Sequence, residues 1–130
     1  MSAEDFALDP LWRDWSPGYA GTTDAALATD CLREPASLAA AIGYYRAMRD
    51  PARHLPRHAA EQAATTAGTG CPVLYLHCAA DGCLGVETSV HAADYLPADS
   101  RDEVIDGVGH FLHLERPELV AARITDWLHA

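Results

Sequence analysis

The hydrophobic pattern changes character near residue 68. Before it, apolar residues recur at helical spacing in alanine-rich stretches broken by prolines; after it, short near-continuous apolar runs alternate with helical ones. Asp9-Pro10 opens a short helix carrying Trp12 and Trp15, and Ser16-Pro17-Gly18 stops it, because proline disfavours helix in the preceding residue. Thr23 or Asp24 caps a second helix ending near Leu32. Glu34-Pro35-Ala36-Ser37 starts a third, whose Leu38, Ile42, Tyr45 and Met48 form a stripe, and which ends near Asp50-Pro51. A weaker helical stretch over residues 57–66 leads into the loop Ala67-Gly68-Thr69-Gly70. Val73 to His77 then reads as a strand buried on both faces. A glycine-bearing loop from Asp81 to Gly85 and a helix over 87–95 follow. Asp102 to Asp106 is a second strand, Gly107-Val108-Gly109-His110 a turn, and 117–129 an amphipathic helix with Leu119, Val120, Ile124, Trp127 and Leu128 on one side. Strand, helix, strand, helix implies parallel strands joined by a crossover, an α/β architecture. The pattern predicts two parts, residues 1–67 helical and 68–130 alternating.

Composition narrows the setting. A chain of 130 residues with 49% apolar and 22% charged residues suits one globular domain. No apolar run approaches the roughly 20 residues of a membrane span, and Met1 to Asp9 is acidic where a signal peptide is basic. The expectation is a cytoplasmic protein with no membrane partner. Nine arginines, no lysine and a net charge of −10 repel phosphate backbones, so nucleic acid is not an expected partner. The four cysteines, Cys31, Cys71, Cys78 and Cys83, lack the paired close spacing of a zinc site, and free thiols are expected.

Candidate chemistry sits at the strand ends. In an open parallel sheet, ligands bind in the crevice beyond the carboxyl ends of the strands. Asp81 lies four residues beyond His77 and His110 four beyond Asp106, so adjacent parallel strands bring both to one sheet edge. An Asp and a His meeting there supply two members of a nucleophile–histidine–acid triad. The carboxylate fixes the imidazole tautomer, and the other ring nitrogen is a general base. By position alone the alternative stays open: a surface-loop histidine and an Asx-turn aspartate. His54, His58 and His91 are spaced too loosely to hold a metal.

The wording around these residues is more specific. Val73-Leu-Tyr-Leu-His-x3-Asp81-Gly, then Val104-Ile-Asp-Gly-Val-Gly-His110-Phe-Leu-His-Leu-Glu-Arg-Pro-Glu118 and Ile124-x2-Trp127-Leu128, resembles the C-terminal end of the α/β-hydrolase family. Gly43-Tyr44-Tyr45-Arg46-Ala47-Met48 is similar to the Tyr-Arg segment of the helical cap in epoxide hydrolases and their relatives. The resemblance runs from Trp12 to Leu128 and implies a partial α/β-hydrolase fold: a helical cap remnant, then the last two parallel strands and their helices. It implies Asp81 as triad acid, His110 as base, Tyr45 as a substrate-binding cap residue, and an ester, epoxide or similar small apolar molecule as substrate. No metal or organic cofactor is implied, because a side-chain nucleophile, a histidine and water suffice. Tyr45 also reads as packing, between Ile42 and Met48, and His113 and Glu115 as loop-shaping.

The chain departs from the family in two places. Cys78 stands where the family has glycine, too close to the acid to be an expected nucleophile. More consequentially, no two glycines are separated by three residues, so a Gly-x-Ser-x-Gly elbow or its Asp equivalent is missing, as is the oxyanion segment. Family members need about 250–300 residues for sheet and cap. The expectation is a chain with acid and base only, inactive alone and prone to self-association unless an N-terminal half complements it. The alternative is a truncated, non-catalytic fragment or interaction module.

Overall fold

A computed structural model describes residues 8–65 and 67–130; the acidic opening segment and Thr66, the last residue of the expected 57–66 helix, lie outside the described residues. The chain divides into two compact units. Of the described residues, one unit comprises 8–9, 21–65 and 67, the other 10–20 and 68–130. The boundary at 67/68 coincides with the change in hydrophobic pattern. Residues 10–20, however, group with the sheet and not with the helices that follow them.

The helical unit contains α2 (Thr22–Cys31), α3 (Pro35–Arg49), single 3-10 turns at Pro51–Arg53 and Pro56–His58, and α4 (Ala59–Ala64). Helix α2 begins at Thr22 without a side-chain cap, ahead of the expected cap at Thr23 or Asp24. Helix α3 has proline in its first turn, where the missing N–H costs nothing, and Arg46 and Arg49 in its last, where cations oppose the helix dipole. Its apolar stripe is not buried: Tyr45 is 53% and Met48 70% exposed. Ala25 is the one buried apolar side chain among the described residues of this unit.

The second unit holds helix α1 (Asp9–Trp15) from Pro10 onward, with β1 (Leu74–Cys78), β2 (Arg101–Ile105), α5 (Leu112–Glu115) and α6 (Pro117–Leu128). The strands are parallel, in register from Leu74 opposite Arg101 to Cys78 opposite Ile105. Cys78, Ile105 and Val108 form the core, with Leu112 and Leu119 packed against it. On the same face logic, Tyr75 and His77 lie together on the opposite side of the sheet, two residues apart along β1.

Between the strands the structure has no α-helix. Two 3-10 turns, Val86–Thr88 and Ala92–Tyr95, replace the helix expected over 87–95. The reason is local. Thr88 Oγ donates to the Gly85 carbonyl and Ser89 Oγ to that of Val86, both at 2.8 Å, while Val86 and Val90 are β-branched. Nor does burial favour a helix, since Val90 and Tyr95 are largely exposed.

Sheet geometry leaves an edge open. The Arg101 amide bonds the Val73 carbonyl and the Ala79 amide that of Ile105, so alternate residues of β1 face β2. The peptide groups of Leu74, Leu76 and Cys78 therefore point away from it. Among the described residues no strand covers that side. Also among the described residues, no helix is long and apolar enough to cross a membrane.

Candidate active site

Both strands end by handing the chain to loops that are stitched together. The Ala79 amide donates to Ile105 O at 2.9 Å and the Ala80 amide to Val108 O at 3.0 Å, so parallel pairing continues past the last strand residue. Asp81 and His110 follow directly. Asp81 Oδ2 lies 2.9 Å and Oδ1 3.1 Å from His110 Nδ1, across 29 residues of sequence. Adjacent parallel strands thus bring the Asp81 carboxylate and the His110 imidazole to one sheet edge, as their positions beyond the strand ends predict.

The pair is well held. Asp81 Oδ1 accepts the backbone N–H groups of Cys83 and Leu84, both at 2.8 Å, so the Asx turn and the contact with histidine coexist. The Asp81 side chain is 8% exposed and that of His110 27%. Burial alone pushes the Asp81 carboxyl up. The Leu84 amide, the His110 ring and the Cys83 amide together outweigh it and hold the group below the usual carboxylate range. A carboxylate only accepts, so His110 Nδ1 carries the proton in the pair and Nε2 of the neutral ring carries the lone pair. Among the described residues Nε2 has no hydrogen-bond partner, which leaves a basic nitrogen available to a reacting group.

A third segment, invisible to spacing arguments, fixes both loops. The Trp15 carbonyl accepts the amides of Gly82 and His110, each at 3.0 Å, and Ser16 Oγ accepts the Phe111 amide at 3.0 Å. One peptide oxygen thereby holds the Asp81 loop and the His110 loop at once. The approach is so close that a side chain on Gly82 would collide with the Asp14 carbonyl, and one on Gly109 with the backbone of Ser16. Ser16 is fully buried, so its hydroxyl is a structural acceptor. The only sequence hint was Ser16-Pro17 after a tryptophan, which reads as a helix stop and nothing more.

Aromatic rings line this region. The Trp15 ring meets His110 edge-on at 5.0 Å, Phe111 packs against His110 at 5.3 Å, and Trp12 stacks on Phe111 at 4.3 Å. Glu115 accepts the Gly109 amide with both carboxylate oxygens, at 3.1 and 3.2 Å, and so shapes the turn as expected. His113 is exposed.

The remaining candidates separate clearly. Cys78 is 5% exposed; burial, then the charges of Asp81 and Glu115, push its thiol up, the opposite of an activated nucleophile. Cys31, Cys71 and Cys83 are exposed free thiols. Tyr45 belongs to the other unit; its ring lies 4.1 Å from that of Tyr44, and the hydrogen bond between them is the main cause of a raised Tyr44 phenol. His54 Nε2 is 2.8 Å from Ala47 O, and His91 pairs with Asp94. Among the described residues no three His, Cys, Asp or Glu side chains are grouped to hold a metal ion. Comparison with family models, with curated proteins and with solved structures finds no match to this chain.

Proposed function

We propose that the chain carries the acid–base half of an α/β-hydrolase active site, with Asp81 as acid and His110 as base. The observation that carries this reading is the 2.9 Å contact between Asp81 Oδ2 and His110 Nδ1, with Nε2 unbonded among the described residues. In the reaction Nε2 takes a proton from a hydroxyl nucleophile or a water as it attacks, and Asp81 stabilises the imidazolium that forms. The nucleophile and the oxyanion donors come from a segment not among these 130 residues, an Asp or Ser on a tight strand-to-helix turn. The aromatic rings of Trp12, Trp15 and Phe111 favour a small apolar ester or epoxide. Tyr45 is the proposed hydrogen-bond donor to the substrate oxygen, and no cofactor takes part.

The open edge of β1 supports the partner assignment. Leu74 to Cys78 carries no charged residue and no proline, the usual devices that protect an exposed edge. A complementing N-terminal half, or failing that a second copy, adds its strand there. The exposed stripe of α3 favours the second reading, a non-catalytic association module of the same ancestry. The coding sequence upstream of the Met1 codon separates the two. An in-frame nucleophile elbow, with ester or epoxide hydrolysis by the longer product that falls about 10³-fold or more on His110→Ala, supports the hydrolase. Neither an elbow nor a complementing chain leaves the association module.

A further inference from the structure

We propose that His77 is a positioning residue for Asp81, holding the acid loop through the Leu84 peptide; the inference rests on the acid–base reading of Asp81 and His110. His77 ends the apolar run of β1 and is 6% exposed, an uncommon place for an imidazole that only packs. Both its nitrogens are engaged. Nε2 lies 3.1 Å from the Leu84 carbonyl oxygen and Nδ1 2.8 Å from the Tyr75 hydroxyl. A carbonyl only accepts, so Nε2–H donates to Leu84; in the neutral ring the Tyr75 hydroxyl then donates to Nδ1. Tyr75 and His77 share a sheet face by strand alternation, which makes this pair a product of β1 itself.

Leu84 is the residue through which the two histidines communicate. Its carbonyl takes the His77 proton, and its amide donates to Asp81 Oδ1 at 2.8 Å. Asp81 in turn accepts from His110 Nδ1. A continuous path therefore runs from the Tyr75 hydroxyl through His77, Leu84 and Asp81 to His110. The loop has no apolar anchor that could replace it. The Leu84 side chain is 54% exposed, Cys83 is exposed, and no regular secondary structure spans Asp81 to Gly85. Its position depends on hydrogen bonds: Gly82 N to Trp15 O at one end, His77 to Leu84 O at the other. Without the second anchor the Leu84 amide is free to leave Asp81 Oδ1, and the carboxylate loses one of the two backbone donors that orient it.

The test uses the whole 130-residue chain labelled with 15N-histidine, reading tautomers and imidazole proton exchange by long-range 1H–15N correlation at neutral pH. His110→Gln identifies the His110 signals. The expected wild-type result is His77 as the Nε2–H tautomer and a protected His110 Nδ1 proton. His77→Leu, apolar and of similar bulk, speeds exchange of that proton about tenfold, the effect of losing one hydrogen bond. His77→Gln places an amide N–H near the position of Nε2 and returns exchange to the wild-type rate, which a role in packing alone would not predict. Should the leucine variant fail to fold, Tyr75→Phe decides: it removes only the hydroxyl that fixes the His77 ring and is expected to speed the same exchange a few-fold, in proportion to a weakened anchor. A His110 Nδ1 proton present in the wild type but unchanged in the folded His77→Leu or Tyr75→Phe chain overturns this inference alone, as does a glutamine variant that behaves like leucine. No protected His110 Nδ1 proton in the wild type overturns the acid–base pair itself.

Discussion

Gly109→Ala is the sharpest probe of how the two loops are held. A methyl group there would come within 3.0 Å of Ser16 Cα, Cβ and Oγ, and Ser16 is fully buried, so no flexible side-chain end can give way. Relief requires the 14–16 segment to move off the loops. Two hydrogen bonds go with it at once, Phe111 N to Ser16 Oγ and His110 N to Trp15 O; a third, Gly82 N to Trp15 O, follows if the whole segment shifts. At about 1 kcal/mol net for each, the loss is about 2–3 kcal/mol. With a urea m-value of about 1–3 kcal/mol per molar for a small protein, the midpoint falls by about 0.7–3 M. Tryptophan fluorescence reports this unit directly, because Trp12 and Trp15 pack on Phe111 and His110. Gly43→Ala is the matched control. It lies inside α3 with open space around it and is expected to stabilise that helix by about 0.5–1 kcal/mol. A Gly109→Ala midpoint that matches the wild type would refute the claim that a tight backbone approach by Ser16 positions the His110 loop.

Other consequences can be checked singly. Because the folded Asp81 carboxyl lies below its ordinary value, it contributes stability above about pH 4 that is lost as pH falls through the lowered folded value. Urea midpoints across the acid range should therefore drop less steeply for Asp81→Asn than for the wild type. Native thiol titration should modify Cys31 and Cys71 quickly, the exposed Cys83 more slowly because desolvation and the Asp81 charge raise its thiol, and Cys78 only on unfolding; fast reaction of all four would contradict the burial and raised thiol of Cys78. Arg123 contacts both Glu103 oxygens, at 2.7 and 2.9 Å, but the pair is about one-third exposed. Arg123→Ala is accordingly expected to cost no more than about 1 kcal/mol, and less at high salt, measured by the same denaturation.

The strands and the meeting of Asp81 with His110 were legible in the sequence for a simple reason. Val73 to His77 is a near-continuous apolar run between turn residues, and a parallel crossover leaves few places for the next loop to go. Asp81 and His110 then meet because their strands are adjacent. What periodicity could not reveal depends on backbone groups. The Trp15 carbonyl binds two amides, and any residue at position 15 has a carbonyl, so no side-chain pattern announces it. Gly82 and Gly109 read as loop glycines; only the close passage of residues 14–16 shows why they lack side chains. Over residues 87–95, the expected helix gave way to Thr88 and Ser89 side chains bonding backward to Gly85 and Val86. The α3 stripe misled differently. Ile42, Tyr45 and Met48 have helical spacing, yet spacing says nothing about whether a surface exists to cover them.

The most direct measurement is hydrolysis by the purified 130-residue chain, with p-nitrophenyl acetate and styrene oxide as substrates, His110→Ala as control, and light scattering to read its association state. A general base without a nucleophile or oxyanion donors retains only about 10²–10⁴-fold of catalysis, and the β1 edge that no described strand covers invites association. The account predicts no saturable turnover of either substrate and a chain that self-associates unless a complementing segment covers that edge. Robust turnover by a monodisperse monomer, abolished in His110→Ala, would contradict it and show that a nucleophile lies within these 130 residues.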